Sequence, residues 1–450
     1  MTTINFRKVK PVEKRIKSFI FGFFYILLIF LPVFIFLITG MPLQRDFWRD
    51  LSVLLGFLGL SMAGFQFIPT TRLPFISDVF DMDRVYNMHH ILSVISVLFV
   101  AAHPLILLLI NPNTLLLLNP FTAPWRAQAG LVGLLAFIIV AITSIFRKEI
   151  RLGYNAWHSI HTLLAILMTV FGLIHIFKVN YYTASIAMRI TWIIETAIWL
   201  GNIIYLRILK PIHIKNRPFL VQKIIPETPD VWTLVLKPDG HAGIDFNAAQ
   251  VAWININTSP FTLHRNPFSI SGSAHTKHEL RFTIKALGDF SASIGNLTGG
   301  ETVYVDGPYG NFSLEDERTI HGLVLLAGGI GIAPIMSILR TLADQKDDRP
   351  LFLFYGNSND ENITFKDEFE ILRKKLDLQV IHVLEQPSQN IKYEQGFITQ
   401  KILEGSLPDN ISNLHFFMCG PLPMIKAMEN ILKQMKIHKN QITAERYEMA

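Results

Sequence analysis

Six histidines fall inside two apolar stretches of this 450-residue chain: His89, His90 and His103 in one, His158, His161 and His175 in the other. Ionisable groups are costly in a hydrocarbon layer, and where they occur they pair, ligate or carry protons. Neutral imidazole is also a common metal ligand. Helical geometry separates four of the six from the rest. At ~100° per residue, a spacing of 14 leaves two side chains within ~40° on one face and ~21 Å apart along the axis. That spacing occurs twice, from His89 to His103 and from His161 to His175. The alternatives fit worse, since His90 to His103 gives an offset of ~140° and His158 to His175 one of ~100°. Two helices that each present two histidines at matched depths can hold two flat macrocycles between them, each iron taking one axial imidazole from each helix. His89 with His161 then ligates an inner haem b, and His103 with His175 an outer one. One long electron jump across ~30 Å of hydrocarbon is thereby divided into shorter ones. His90 and His158 are left as interfacial groups or neighbours of haem propionates.

The elements that must position these residues are legible in the composition. Half of the chain is hydrophobic and its mean hydropathy is +0.35, too apolar for an ordinary soluble protein. Uncharged apolar runs at 18–39, 48–68, 84–110, 128–146, 155–177 and 186–207 approach the ~20 residues that a bilayer-spanning helix needs. Six spans return the chain to its starting side. Arg7, Lys8, Lys10, Lys14, Arg15 and Lys17 precede the first run, and Arg72, Arg84, Arg147, Lys148, Arg151, Arg207, Lys210, Lys215 and Arg217 fall in later segments of the same side. Lys and Arg accumulate in cytoplasmic segments, so both termini are expected in the cytosol. The first apolar run is long and no small-residue cleavage site follows it, which reads as an uncleaved helix rather than a signal peptide. The net charge of +6 therefore reflects topology and is no nucleic-acid signal. A single cysteine, Cys419, rules out an intramolecular disulfide and suits a reducing compartment.

The second half has ordinary mixed composition. After a linker around 210–218, short β-type runs at 231–236, 251–256 and 280–286 are separated by Pro, Gly and Asn up to about Ser313, the pattern of a small antiparallel barrel. Beyond it, apolar strands at 322–327, 351–355, 378–384 and 415–418 alternate with helical segments, which predicts a doubly wound α/β domain. At the end of its first strand stands Ala327-Gly328-Gly329-Ile330-Gly331-Ile332-Ala333-Pro334, leading into a helix over 335–342. Glycines at a strand-to-helix turn let backbone amides approach a pyrophosphate at the positive helix end.

With these motifs in this order, the chain resembles the ferric reductase and NADPH oxidase superfamily, whose cytosolic module is ferredoxin-reductase-like. The resemblance covers nearly all of the sequence. Asn266-Pro267-Phe268-Ser269 resembles the flavin motif in which an aromatic and a hydroxyl residue contact isoalloxazine and ribityl, although His or Arg often stands where Asn266 does. Lys285-Ala286-Leu287-Gly288-Asp289-Phe290-Ser291 resembles the next flavin segment, and Gly307-Pro308-Tyr309-Gly310 the turn closing the barrel. The segment from Gly328, Gly329 and Gly331 to Pro334 resembles the pyridine-nucleotide loop, with Ala333 where Thr is common. Cys419-Gly420-Pro421 resembles the turn where nicotinamide docks beside the flavin, and Glu445-Arg446-Tyr447 the C-terminal acidic and aromatic pair, with Tyr447 guarding the flavin face.

The resulting expectation is an α-helical six-span membrane domain over 1–209, an antiparallel FAD-binding β-barrel over 216–315 and a doubly wound NAD(P)-binding domain over 320–450. NADPH or NADH gives a hydride to FAD, and single electrons pass through two haems to an acceptor across the membrane. Asn357-Ser358-Asn359-Asp360 offers no Arg to a 2′-phosphate, so NADH serves about as well as NADPH. The outer loops at 111–127 and 178–185 are short and poor in metal ligands, which favours dioxygen as acceptor, with superoxide as product. A ferric chelate, or a partner protein for which the chain is the electron donor, is the alternative. Membrane lipid is a partner; nucleic acid is not.

Overall fold

The computed structural model describes residues 11–39, 46–73, 76, 80, 82–263, 265–310, 320–387 and 393–446. Its described residues divide into a unit over 11–211 and a second over 212–446.

The membrane unit holds six long helices: α1 (Pro11–Thr39), α2 (Phe47–Phe65), α3 (Met82–Ile110), α4 (Trp125–Ile145), α5 (Tyr154–Val179) and α6 (Ile186–Ile204). All six are long and apolar enough to cross a bilayer. Their outward residues are apolar, with Phe19, Ile38, Leu109 and Ile186 each at least three-quarters exposed, as a lipid-facing surface requires. α2 is the central helix, and small residues let its neighbours close on it. A Cβ on Gly59 would lie 2.7 Å from Val100 Cγ2 of α3, and one on Gly64 would lie 2.2 Å from the Trp199 ring of α6. The Ser96 hydroxyl on α3 donates to the Gly59 carbonyl at 2.6 Å. The expected linker is in part a helix. α6 runs through a π-helical turn, Tyr205–Leu209, into the helix Lys210–Lys215, because no glycine interrupts the segment and the wider turn just before Pro211 accommodates the backbone bond its missing N–H cannot make.

The second unit opens with six antiparallel strands, β1 (Phe219–Thr228), β2 (Val231–Pro238), β3 (Val251–Ile256), β4 (Asn266–Ser269), β5 (Leu280–Lys285) and β6 (Thr302–Tyr309), in the order β4-β3-β6-β1-β2-β5. A bridge from Ile270 to Phe282 joins the two edges and closes the sheet into a barrel around Phe219, Leu234, Ile254 and Phe282. The chain then builds a parallel sheet in the order β10-β9-β8-β7-β11-β12 from β7 (Gly322–Gly328), β8 (Leu351–Asn357), β9 (Leu378–Leu384), β10 (Glu394–Gln395), β11 (Leu414–Gly420) and β12 (Ile442–Arg446). Helices cover both faces, among them α7 (Ile332–Gln345), α8 (Lys366–Arg373) and α9 (Leu422–Gln434). β7 is buried along its whole length, as expected of a strand covered on both sides. From β7 the strand order runs outward both ways, so the crevice between the ends of β7 and β11 is the topological switch point at which ligands of such sheets bind.

One face of α7 fixes this sheet to the barrel. Ser337 accepts from the Ala249 amide at 3.0 Å and donates to the Gly272 carbonyl at 2.6 Å, while Thr341 accepts from the Ala274 amide at 3.0 Å. Arg340 donates to the Ser271 carbonyl at 2.6 Å and forms a two-pronged ion pair with Glu368 at 2.6 and 2.7 Å.

Candidate functional site: two histidine pairs and a nucleotide crevice

α3 and α5 face each other with their histidines in register. The His89 and His161 ring centres are 6.2 Å apart, and so are those of His103 and His175. Two imidazole–metal bonds of about 2 Å each, with ~1 Å from each ligating nitrogen to its ring centre, sum to about 6 Å. Each pair therefore leaves room for one metal ion between its rings.

Every ring is held through Nδ1, which leaves Nε2 directed elsewhere. His89 Nδ1 lies 3.0 Å from Gln66 Oε1, and His161 Nδ1 3.2 Å from the Ser144 hydroxyl. His103 Nδ1 lies 3.0 Å from the Ser52 carbonyl and 2.9 Å from its hydroxyl, and His175 Nδ1 2.7 Å from the Arg126 carbonyl. Acceptors at Nδ1 fix tautomer and ring plane, as the outer shell of a metal-bound histidine does. These partners were not read from the sequence. The polar side chains of Ser52, Gln66 and Ser144 within apolar runs were the available signal.

The outer pair opens on a cavity of about 330 Å³ between α2, α3, α4 and α5, with Gly56, Leu60, Phe137, Met168 and Gly172 in its wall. Its width depends on absent side chains: a Cβ on Gly130 would lie 2.7 Å from His175 Nδ1, and one on Gly56 3.3 Å from the His103 ring. Apolar walls, two opposed imidazoles and glycines beside them fit a flat, bis-histidine macrocycle. His90 is exposed, and His158 stacks on Tyr154 at 5.9 Å, so neither stands opposite another histidine as the four do.

In the second unit the structure brings two of the flavin-type segments together. Phe268 of β4 and Phe290 of the helical turn Asp289–Ser293 stack at 5.9 Å with planes 20° apart. Ser291 accepts from the Leu287 and Gly288 amides at 2.9 and 3.0 Å and so shapes the turn behind Phe290. Pro267 pairs with Trp253 of β3, and Ser269 is buried at the end of β4. Lys285 turns instead to Asp230, at 3.3 Å. Arg265, the neighbour of Asn266, pairs with Asp306 at 2.6 Å, and Tyr309 donates to the same carboxylate. The residues of the barrel-closing turn, Gly307 and Tyr309, are thus tied to the β3–β4 side, and Gln250 holds the Gly310 carbonyl at 3.1 Å.

The glycine turn and the cysteine turn also converge. Gly328 ends β7, Gly329 takes a positive φ of 51°, and Gly331 begins α7 so close to β11 that a Cβ there would lie 2.1 Å from the Cys419 carbonyl. Gly328 and Gly420 meet across the crevice, with a Cβ on Gly420 3.2 Å from the Gly328 amide, and Pro421 caps α9. Pro334 lies in the first turn of α7, where its missing N–H is harmless. The Cys419 thiol lies 3.8 Å from Glu445 on β12. Burial pushes its pKa well up, and the Glu445 carboxylate raises it further, so this sulfur stays a neutral thiol. Tyr447 lies outside the described residues, as do Arg7, Lys8 and Lys10.

Residues 55–173 match the family described as ferric reductase like transmembrane component, and residues 325–430 match the oxidoreductase NAD-binding domain. Among curated relatives, the reductase component of propane 2-monooxygenase from Mycolicibacterium smegmatis is 30% identical over 231 residues, covering 49% of this chain and 65% of that one. NADH-cytochrome b5 reductase 1 of Laccaria bicolor is 33% identical over 168 residues, covering 36% of this chain and 54% of that one. The chain spans less than two thirds of the length of either relative. The FAD/NAD-binding domain of a nitric oxide dioxygenase from Vibrio cholerae aligns with 51% of this chain and 98% of its own, at 22% identity and a TM-score of 0.46. Within a set of six helices long and apolar enough to cross a membrane, the chain thus matches a ferric reductase-like transmembrane component, and behind them an oxidoreductase NAD-binding domain, the two parts that match a ferric reductase/NADPH oxidase-like superfamily.

Proposed function

We propose that this protein carries electrons from cytosolic NAD(P)H through FAD and two b-type haems to an acceptor on the far side of the membrane. The observation that carries the reading is the pair of equal 6.2 Å imidazole gaps, stacked along the same two helices. FAD would supply the conversion of a hydride into single electrons, and the haems their passage across hydrocarbon. The chain's own residues bind and orient. His89 and His161 hold the inner haem, and His103 and His175 the outer one. Gln66, Ser144 and the carbonyls of Ser52 and Arg126 hold each ring through Nδ1, which would leave Nε2 free to bind a metal.

In the reductase module, the Phe268–Phe290 side of the barrel holds the flavin, with Asn266, Ser269, Gly288 and Ser291 about its polar parts. The Gly328–Gly331 turn receives the nucleotide pyrophosphate at the start of α7, and Gly420 leaves the space in which nicotinamide approaches. By the family resemblance, Tyr447 would cover the flavin face at which nicotinamide docks. The domains run over 1–209, 216–315 and 320–450, with both termini cytosolic by the distribution of Lys and Arg. The loop after β8 is closed by its own polar groups: Asn359 caps the turn at Asn362, whose amide donates to Ser358 at 2.7 Å. It presents Asp360 rather than a cation, which supports the use of NADH beside NADPH.

Dioxygen, reduced to superoxide, is the acceptor we favour. The turn Pro112–Leu118 on the outer side exposes Leu115 and Leu116, and Phe121 follows with 92% of its surface free, an apolar approach suited to a small neutral molecule. A ferric chelate is the second reading, favoured by Arg49 and Arg126 in the outer cavity wall, two cations that would draw an anionic chelate. The purified protein, given FAD and NAD(P)H in air, should reduce cytochrome c in a way that superoxide dismutase abolishes. Reduction of ferric chelates that is equally fast under argon and indifferent to dismutase would transfer the assignment to the chelate.

A further inference from the structure

Glu195 stands in the middle of α6 with no solvent exposure. Trp192 and Trp199, three residues before it and four after, share its face of the helix. Phe57 and Phe65 of α2 meet these two indoles at 5.4 and 5.8 Å, so the carboxyl points into the packing of α6 against α2 rather than toward lipid. Ser61 of α2 is also fully buried and adjoins the carboxyl. Ser61 is the donor that bears on the carboxyl, although by strict geometry neither carboxyl oxygen, nor the Ser61 hydroxyl, nor either indole N–H completes a hydrogen bond among the described residues.

Among the described residues no Lys, Arg or His side chain reaches either oxygen of this carboxyl. Tyr25 of α1, a titratable group packed on Phe65 of the same region, donates to the Phe65 carbonyl at 3.3 Å. Asp50, nearer the start of α2, is held by the Tyr182 hydroxyl at 2.7 Å. A carboxylate without a cation inside hydrocarbon, with at most one hydroxyl beside it, is far costlier than the neutral acid, so the side chain carries its proton. The opposite face of α2 looks onto the histidine pairs: Gly56, Leu60 and Ala63 line the outer cavity, and Gln66 holds His89. About one helix diameter, ~10 Å, thus separates Glu195 from that face. Charges interact strongly over such a distance in a low dielectric. An electron arriving there disfavours a carboxylate at Glu195 and favours its acid.

We propose that Glu195, with Ser61, is a proton-binding site inside the membrane unit, neutral in the resting protein and holding its proton more tightly with each electron that reaches the histidine pairs. The site keeps a second negative charge away from the electron path. The redox link rests on the haem reading above, and the test separates the two.

Redox-triggered infrared difference spectra of the full-length, haem-loaded protein, recorded together with visible spectra, read this site directly. The expected result is a carboxylic-acid carbonyl band that changes frequency on reduction, moves down in heavy water and vanishes in Glu195→Gln. Ser61→Ala should move the band without removing it. If Glu195→Gln does not fold, glutamate with a carbon-13 carboxyl in the otherwise unchanged chain identifies the band as that of a glutamic acid, and Ser61→Ala ties it to this site. Visible haem reduction with no such band, with a carboxylate band in its stead, or with a band that Ser61→Ala leaves unmoved would overturn the proposal while leaving the haem reading intact. A protein with no haem absorption would sink both.

Discussion

The two histidine pairs have the same ring separation but are held by different means. At the outer pair, His103 and His175 direct Nδ1 to backbone carbonyls, those of Ser52 and Arg126. At the inner pair, the acceptors are side chains, the Gln66 amide and the Ser144 hydroxyl. A carbonyl of a packed helix end survives any substitution of its own side chain, whereas an amide or hydroxyl does not. The inner site is therefore the one whose ligand orientation, and with it its metal potential, can be adjusted by a single mutation. The outer site is fixed by how α2 and α4 are folded.

Removing a ligand is the strongest way to probe this difference. His89→Ala or His161→Ala should eliminate the inner haem and stop transfer to any outside acceptor, while NAD(P)H still reduces the flavin. His103→Ala or His175→Ala should eliminate the outer haem and leave an inner one that NAD(P)H reduces, as visible spectra at each stage would report. His90→Ala and His158→Ala should leave both haems bound.

A smaller effect, confined to the outer site, is expected of Gly130→Val. The added branches fall where a Cβ is already 2.7 Å from His175 Nδ1, and should weaken retention of the outer haem on the order of tenfold while sparing the inner one. Equal loss from both sites would show that the two are not held independently.

The comparison itself is sharpened by Gln66→Leu against Ser52→Ala. Loss of the Gln66 acceptor at His89 Nδ1 should weaken inner-haem binding by about 10- to 100-fold and raise its potential, because the ligand becomes less basic. Ser52→Ala removes a hydroxyl but keeps the carbonyl 3.0 Å from His103, and should change outer-haem binding by about twofold or less. Potentiometric titration of the two variants would reverse the picture if Ser52→Ala proved the more damaging. Outside the membrane, Arg340→Ala should cost the reductase unit about 2 kcal/mol in denaturant unfolding through loss of its charge-assisted bonds to Glu368 and Ser271, with the membrane haem spectrum unchanged.

Much of this was legible in the sequence for physical reasons. A span must be about 20 apolar residues long, so six runs announced six helices, with ends that differ by a few residues from α1 to α6. The 14-residue spacing announced which histidines share a face, and the rings of His89 with His161 and of His103 with His175 do meet. Strand and turn signals likewise announced a barrel followed by a parallel sheet, whereas the close approach of Gly331 to the Cys419 backbone is visible only in the structure. What spacing could not give was the third partner in each case. Gln66 reaches His89 across 23 residues and Ser52 reaches His103 across 51, distances set by how α2 packs on α3. Nor could a local pattern show that Arg265 is taken up by Asp306, 41 residues away, or that Glu195 faces α2 and not another helix. The helical continuation through Lys210–Lys215 was missed because a proline next to basic residues reads as a break, although a π-helical turn just before Pro211 lets the run continue.

The central claim is that two bis-histidine haems lie in series between nucleotide and acceptor. Haem content per chain, measured by visible spectroscopy under argon before and after adding NADH, tests it most directly in the unaltered protein and in His89→Ala and His103→Ala. The account predicts two haems in the first, both reduced by NADH, and one in each variant, reducible by NADH in His103→Ala but not in His89→Ala. Two haems retained in either variant, or an outer haem still reduced by NADH without His89, would contradict it.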